Sequence, residues 1–264
     1  MALLHMSLVS ANVAFLLALT TGCTHLKTTL PSMELLAVSA KSAAAEPATW
    51  VPLTAAVVIG LSGADNNISD WASDETPVFG SQRSAGDFSD YMRNSLVAGA
   101  VLSSIFAPDS DEHDGFPTRR VLTNALAFGA VASIVETGKR TVKRERPNER
   151  DDRSFPSGHS STSFTSALLI EQNLNETFKK PWLRKTIKAG TYSSAAAVAW
   201  ARVEAKEHHP VDVLFSAALS NFVVKSIYKS TFYKSINSDG LSAVQPLAIE
   251  AGRKGFAIKL NYAF

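Results

Sequence analysis

The sequence predicts an all-α fold, a helical bundle of about six core helices with a small C-terminal β-hairpin. Six uncharged apolar blocks predict the bundle: Trp50–Ala64, Asn94–Pro108, Val121–Val135, Ser154–Ile170, Ala189–Ala201 and Val213–Val224. They are rich in Ala, Leu and Val and poor in strand signals, which favours helix. The hairpin rests on a different period. Phe256, Ile258, Leu260, Tyr262 and Phe264 alternate with other residues, and Gly252-Arg253-Lys254-Gly255 separates them from Val244–Ala251. Period two across a glycine-bounded connection is the pattern of two paired strands.

Block length bears on a second question. A membrane span takes about 20 apolar residues. None of the six blocks is that long, and Ser154–Ile170 is full of Ser and Thr. Buried helices of a globular bundle therefore fit better than six spans, with tilted or imperfect spans left open.

Ahead of the bundle lie two further segments. The first 26 residues carry no Lys, Arg, Asp or Glu, and the apolar run Leu8–Leu19 leads into Thr20-Thr21-Gly22-Cys23. An apolar run closed by small residues reads as an export signal. A cysteine directly after it resembles a bacterial lipoprotein signal, in which Cys23 would carry the lipid; an uncleaved anchor or an ordinary signal peptide are the alternatives. The Ser/Thr/Ala/Lys-rich stretch that follows reads as a tether. The expected organisation is thus signal at 1–22, tether at 23–48, helical domain at 49–235 and hairpin at 236–264.

Composition narrows the function classes. The 264 residues hold 26 Lys+Arg against 24 Asp+Glu, a net charge of +2, with 45% hydrophobic and 19% charged residues. Charges so nearly balanced speak against a nucleic-acid partner. A mean hydropathy of +0.03 speaks against a densely hydrophobic transporter. One cysteine permits neither an internal disulfide nor a cysteine-based zinc site.

Three clusters carry chemistry. The run Lys139–Arg153 holds seven cations against four anions. It follows an apolar helix and contains Arg146-Pro147, and the residue before a proline is pushed out of helical conformation. Lys139 should sit on the last turns of the helix and Arg146 beyond it, so both could converge on one anion. Next, Phe155-Pro156-Ser157-Gly158-His159 opens an uncharged, helix-length run. A helix N-terminus offers free N–H groups and partial positive charge, and Gly158 lets a ligand approach the backbone. That is a phosphate cradle with an imidazole at its edge. Finally, Arg202 to Asp212 links two helices, with Pro210 suited to the first helical position. Asp212 lies four residues after His208 and could fix its tautomer, leaving the other nitrogen as nucleophile or base. His209 lacks that spacing. Together these clusters suit a dianionic tetrahedral group, with cations and N–H donors on its equatorial oxygens and two imidazoles in line.

The order and spacing resemble the type-2 phosphatidic acid phosphatase superfamily, which also contains class A acid phosphatases and vanadium-dependent haloperoxidases. Lys139, six residues and Arg146-Pro147 match its first motif. Pro156-Ser157-Gly158-His159 matches the second, and Arg202, five residues, His208, three residues and Asp212 match the third, with Ala201 in place of a serine. The resemblance implies the fold of the acid phosphatases and haloperoxidases. It also implies His208 as the nucleophile forming a phosphohistidine, Asp212 as its orienting carboxylate and His159 as general acid. Lys139, Arg146, Arg202, Ser157 and the Gly158 N–H would bind phosphate, with no metal or other cofactor. The short link Asn148–Phe155 is closer to the lipid-phosphatase branch than to the soluble one.

The function expected is a metal-independent phosphatase of the bacterial cell envelope, on its periplasmic side, anchored at a membrane surface and cleaving a phosphomonoester or pyrophosphate of a lipid. An acid phosphatase for small soluble esters, a vanadium haloperoxidase and a non-catalytic anion binder are the competing readings.

Overall fold

A computed structural model describes residues 26–30, 33–107, 118–174, 178, 180–231, 247–252 and 255–259. The signal segment, Cys23 and the end of the chain from 260 lie outside the described residues. Among these residues eight helices follow in order: α1 Met33–Ala44, α2 Pro47–Ser62, α3 Ala64–Glu75, α4 Gln82–Phe106, α5 Thr118–Val142, α6 Gly158–Leu174, α7 Pro181–Glu204 and α8 Pro210–Thr231. Each of the six apolar blocks contributes most of its residues to a helix. The two additional helices are α1, within the stretch expected as a tether, and α3, which follows the first apolar block.

Neither additional helix has an apolar stripe. In α3 the buried positions are Asp65, Ser69, Ala72 and Ser73, which recur at helical spacing but are small or polar. In α1 they are Ser39 and Ala43, and α1 packs on α8. Small side chains bury a helix by letting backbones approach, which hydropathy does not register. Gly63, at φ 72°, ends α2 and starts α3, a left-handed position that any side chain would strain.

At the centre runs α6, packed on α4, α5, α7 and α8. Its first half is buried through Ser160, Ser161, Ser163 and Thr165, and its second through Ala167, Leu168, Leu169 and Ile170. The main core cluster gathers Leu96, Ala100, Ala127, Leu168, Leu169, Ala195, Val224 and Tyr228 from five helices. The Ser/Thr half points toward the N-terminus of α6, where the polar clusters meet. Apolar packing thus holds one end of the bundle, and hydrogen bonds organise the other.

The outer faces of α2 and α5 are apolar and exposed, at Trp50, Val57, Val58 and Leu61 and at Leu126, Ile134 and Val142. Among the described residues two helices, Arg120–Val142 and Pro210–Thr231, are long and apolar enough to cross a membrane, and α1 with α2, bent by 61°, would make a third span if taken together. This revises the expectation from block length. The helices run past their uncharged cores and include polar ends, so a block of about 15 residues becomes a helix of 22 or 23.

Strands β1 (Leu26–Leu30), β2 (Leu247–Gly252) and β3 (Gly255–Lys259) form an antiparallel sheet in the order β1-β2-β3. Gly252 pairs with Gly255 and Leu30 with Leu247.

Candidate active site

Three chain reversals bring the polar clusters together. The first is the segment after α5. Gly138 lies where α5 meets the incoming loop, and a Cβ there would fall 2.6 Å from Pro156 Cδ. Only glycine lets that loop lie so close to the helix. The second is the start of α6, where the buried Ser157 Oγ accepts from the Ser160 N–H and hydroxyl, at 3.4 and 3.0 Å. That is an N-cap. The third is the turn between α7 and α8, where the Glu207 and His208 N–H groups donate to the Arg202 carbonyl. Pro210 opens α8, and Asp212 in its first turn accepts from the His209 N–H at 2.9 Å. A carboxylate reaching back to the cap N–H is half of a capping box.

His208 is buried, and its Nδ1 lies 2.6 Å from the Ser154 carbonyl oxygen. A carbonyl only accepts, so Nδ1 carries the hydrogen and Nε2 keeps its lone pair. Burial pushes His208 down to about 3, partly opposed by Asp212, and the ring is neutral at ordinary pH. Asp212 Oδ2 is 3.7 Å from Nδ1, outside hydrogen-bond range. It accepts instead from Ser154 Oγ at 2.5 Å. The carboxylate therefore acts on the imidazole through Ser154: its side chain is held by Asp212, and its carbonyl holds His208.

Asp212 is fully buried and tightly tied. Arg144 Nη1 donates to its Oδ1 at 2.7 Å, and Arg144 Nη2 pairs with Asp65 Oδ2. Asp65 Oδ1 accepts the Val211 N–H at 2.9 Å. One guanidinium thus locks α3 to the first turn of α8. None of Asp65, Arg144 and Ser154 was singled out from the sequence. Asp65 lies just past the first apolar block, and Arg144 was one cation among seven.

The expected phosphate cations surround this centre. Arg146 donates through Nε to Asp151 and through Nη1 to Glu207 Oε2, at 2.7 and 2.8 Å. Arg202 Nη2 lies 3.3 Å from the same Glu207 oxygen, and Arg202 Nη1 donates to Ser89 Oγ at 3.2 Å. Arg202 Nε is buried and has no hydrogen-bond partner among the described residues. Lys139 Nζ donates to the Arg153 carbonyl at 2.6 Å, and its chain passes 4.0 Å from where a Cβ on Gly158 would be. Arg202 and Arg146 act electrostatically on His208, and Arg202 also acts on His159. The Ser157 hydroxyl is turned inward as a helix cap.

His159 stands at the rim. Its Nε2 is 2.6 Å from Asp90 Oδ1 and 2.6 Å from Arg93 Nη1, both on α4. Burial pushes it down to about 4, against the pull of Asp90. Neither α4 residue was flagged in the sequence, because nothing local ties them to a histidine 66 or 69 positions away. Among the described residues no three His, Cys, Asp or Glu side chains form a group able to hold a metal.

Both apolar helices long enough to span a membrane bring one end to this site. Lys139 lies in the last turn of α5, and His208 lies just before α8.

Lipid A 1-phosphatase of Porphyromonas gingivalis is 29% identical over 105 residues, which is 40% of this chain and 22% of that protein. The chain thus spans about a fifth of that curated relative. Among solved structures, the transmembrane PAP2-type phosphatidylglycerolphosphate phosphatase of Bacillus subtilis superposes with a TM-score of 0.53 at 19% identity, over 73% of this chain and 97% of the other. It shares the fold. Aquifex aeolicus LpxE aligns at a TM-score of 0.32 and 22% identity, over 51% of this chain and 83% of that one. Residues 120–236, which carry all three clusters, match the family model of the PAP2 superfamily.

Proposed function

We propose that the protein is a phosphatase that cleaves a phosphomonoester or pyrophosphate of a lipid at a membrane surface, through a phosphohistidine on His208. The observation that carries this reading is the tautomer of His208: the Ser154 carbonyl accepts the Nδ1 hydrogen and leaves Nε2 its lone pair, on a ring that feels the charges of Arg146 and Arg202. Nε2 attacks phosphorus, and the bond to the leaving oxygen breaks as His159 gives that oxygen a proton. Water then attacks the phosphohistidine, His159 takes its proton, and the Nε2–P bond breaks. Arg146, Arg202, Lys139 and the Gly158 N–H neutralise the equatorial oxygens, whose charge is greatest in the transition state.

A lipid is favoured because the site lies at the ends of two helices able to span a membrane, and the Porphyromonas gingivalis and Bacillus subtilis proteins named above are lipid phosphatases by name. We extend the reading to an envelope location with the site on the periplasmic side and Cys23 as a lipid anchor.

Phosphate release from the detergent-solubilised chain tests this. Diacylglycerol phosphate, polyprenyl pyrophosphate and p-nitrophenyl phosphate are compared for wild type and His208→Ala. Release from the lipids that His208→Ala abolishes is expected. Preference for p-nitrophenyl phosphate overturns the lipid assignment, and full activity in His208→Ala overturns the nucleophile.

A further inference from the structure

The contact between α4 and His159 assigns a role to a residue outside the three motifs. Nε2 of His159 has two neighbours at 2.6 Å, Asp90 Oδ1 and Arg93 Nη1. A ring nitrogen presents one hydrogen or one lone pair in its plane, so it donates to the carboxylate or accepts from the guanidinium, never both. Asp90 is held below the usual carboxylate range, chiefly by its bond with His159, so it has no hydrogen of its own to give. Arg93 Nη2 lies 3.6 Å from the same Asp90 oxygen, and Arg93 Nε and Nη2 donate to Asn94 Oδ1. The guanidinium is thereby occupied on its other edge and backs the carboxylate.

We propose that Asp90 is a positioning residue for His159, accepting the Nε2 hydrogen so that Nδ1 is the nitrogen that passes a proton to the leaving oxygen. The two imidazoles are then held by opposite nitrogens: His208 by Nδ1 on a backbone carbonyl, His159 by Nε2 on a carboxylate. The difference suits their tasks. A neutral acceptor holds His208 as an uncharged nucleophile. An anionic acceptor stabilises His159 as the imidazolium that must exist before proton transfer. On transfer the Nδ1–H bond breaks, the oxygen–hydrogen bond of the alcohol forms, and His159 remains with its Nε2 hydrogen on Asp90. In the second half, Nδ1 takes the proton from the attacking water, which restores the imidazolium.

This rests on the phosphatase reading, and leaving-group dependence tests it separately. An alkyl phosphate needs its leaving oxygen protonated, whereas p-nitrophenolate leaves without help. kcat/KM is measured for wild type, Asp90→Ala, Asp90→Glu, Asp90→Asn and His159→Ala, using dioctanoylglycerol phosphate and p-nitrophenyl phosphate in detergent. The side chain of Asp90 is 57% exposed, so these variants are expected to fold. Asp90→Ala should lose at least about tenfold more on the alkyl than on the aryl substrate, the same skew as His159→Ala but smaller. Asp90→Glu should recover part of the loss. Asp90→Asn, which keeps an acceptor oxygen without charge, should fall between. Equal losses on both substrates, or none, in Asp90→Ala while His159→Ala shows the skew would overturn the assignment of Asp90 alone. A wild type inactive on both substrates would overturn the phosphatase reading and this assignment with it.

Discussion

Replacing Arg144 by Met should unlock the base of the site. Arg144 Nη1 donates to Asp212, which is fully buried, and Nη2 to Asp65, whose side chain is 9% exposed. Methionine fills the volume of the stem but leaves two buried carboxylates short of a partner. Breaking a buried ion pair from one side costs about 3–5 kcal/mol. The Arg144 side chain is 26% exposed, and solvent screens part of that, so a loss of about 2–3 kcal/mol is expected. For a domain of this size each kcal/mol lowers Tm by about 2–4 °C, which gives a fall of roughly 4–12 °C. The assay is thermal unfolding of detergent-solubilised wild type, Arg144→Met, Arg144→Lys and Arg144→Met/Asp65→Asn. Lysine is a point charge and does not span two carboxylates as a planar fork does, so it should fall between wild type and Met. The double variant should recover part of the loss, because one of the stranded carboxylates is gone. Activity should fall with Arg144→Met, since Asp212 holds Ser154 and Ser154 holds His208. A Tm within 1 °C of wild type together with full activity would refute this coupling.

Acid should destabilise the fold through His208. The ring titrates near 6.5 when unfolded and near 3 when buried, so the unfolded chain binds the extra proton in between, and stability present above pH 6.5 is lost as pH falls toward 3. Tm measured from pH 7.5 to 4.5 should drop more steeply in wild type than in His208→Gln; parallel curves would count against it. Gly138→Ala should reduce activity about tenfold or more and lower Tm, because the new Cβ would meet Pro156 Cδ at 2.6 Å and push the α6 entry loop away; a variant with wild-type kcat/KM contradicts the close approach. Glu204→Gln should cost about 1–3 kcal/mol. The fully buried carboxylate of Glu204 accepts from the Val78 and Phe79 N–H groups and from Trp200 Nε1, and an amide nitrogen cannot accept. An unchanged Tm would show that the turn before α4 does not depend on that charge.

The parts of the site legible in the sequence were those set by local rules. Arg146 lies beyond the helix as expected, although α5 already ends at Val142, ahead of Lys143 at φ 49°; α6 begins at the Pro-Ser-Gly signal, and Pro210 opens α8. The spacing from His208 to Asp212 suggested a direct contact, yet Asp212 Oδ2 lies nearer His209 Nδ1, at 3.4 Å, than His208 Nδ1, at 3.7 Å. The spacing did not reveal that Ser154, 58 residues away from Asp212, stands between Asp212 and His208. Asp65, Asp90, Arg93, Arg144 and Glu207 escaped for the same reason: each has partners on other elements, and a surface charge and a buried one look alike in a sequence. The helix α3 escaped because its inward face is Asp65, Ser69, Ala72 and Ser73, a stripe of small and polar residues rather than apolar ones. A search for small residues at helical spacing would have found it. The membrane question turned on length, and uncharged blocks understate helices whose polar ends continue into the site.

The most direct test of the central claim is to trap the intermediate. The detergent-solubilised chain is mixed with phosphate-labelled lipid substrate, quenched in denaturant within milliseconds, and the protein-bound label is characterised. An acid-labile, base-stable phosphoryl group that maps to His208 and disappears in His208→Ala is the expected result. Label that persists in His208→Ala, or turnover in which no acid-labile phosphoenzyme forms, would contradict the assignment of His208 as the nucleophile.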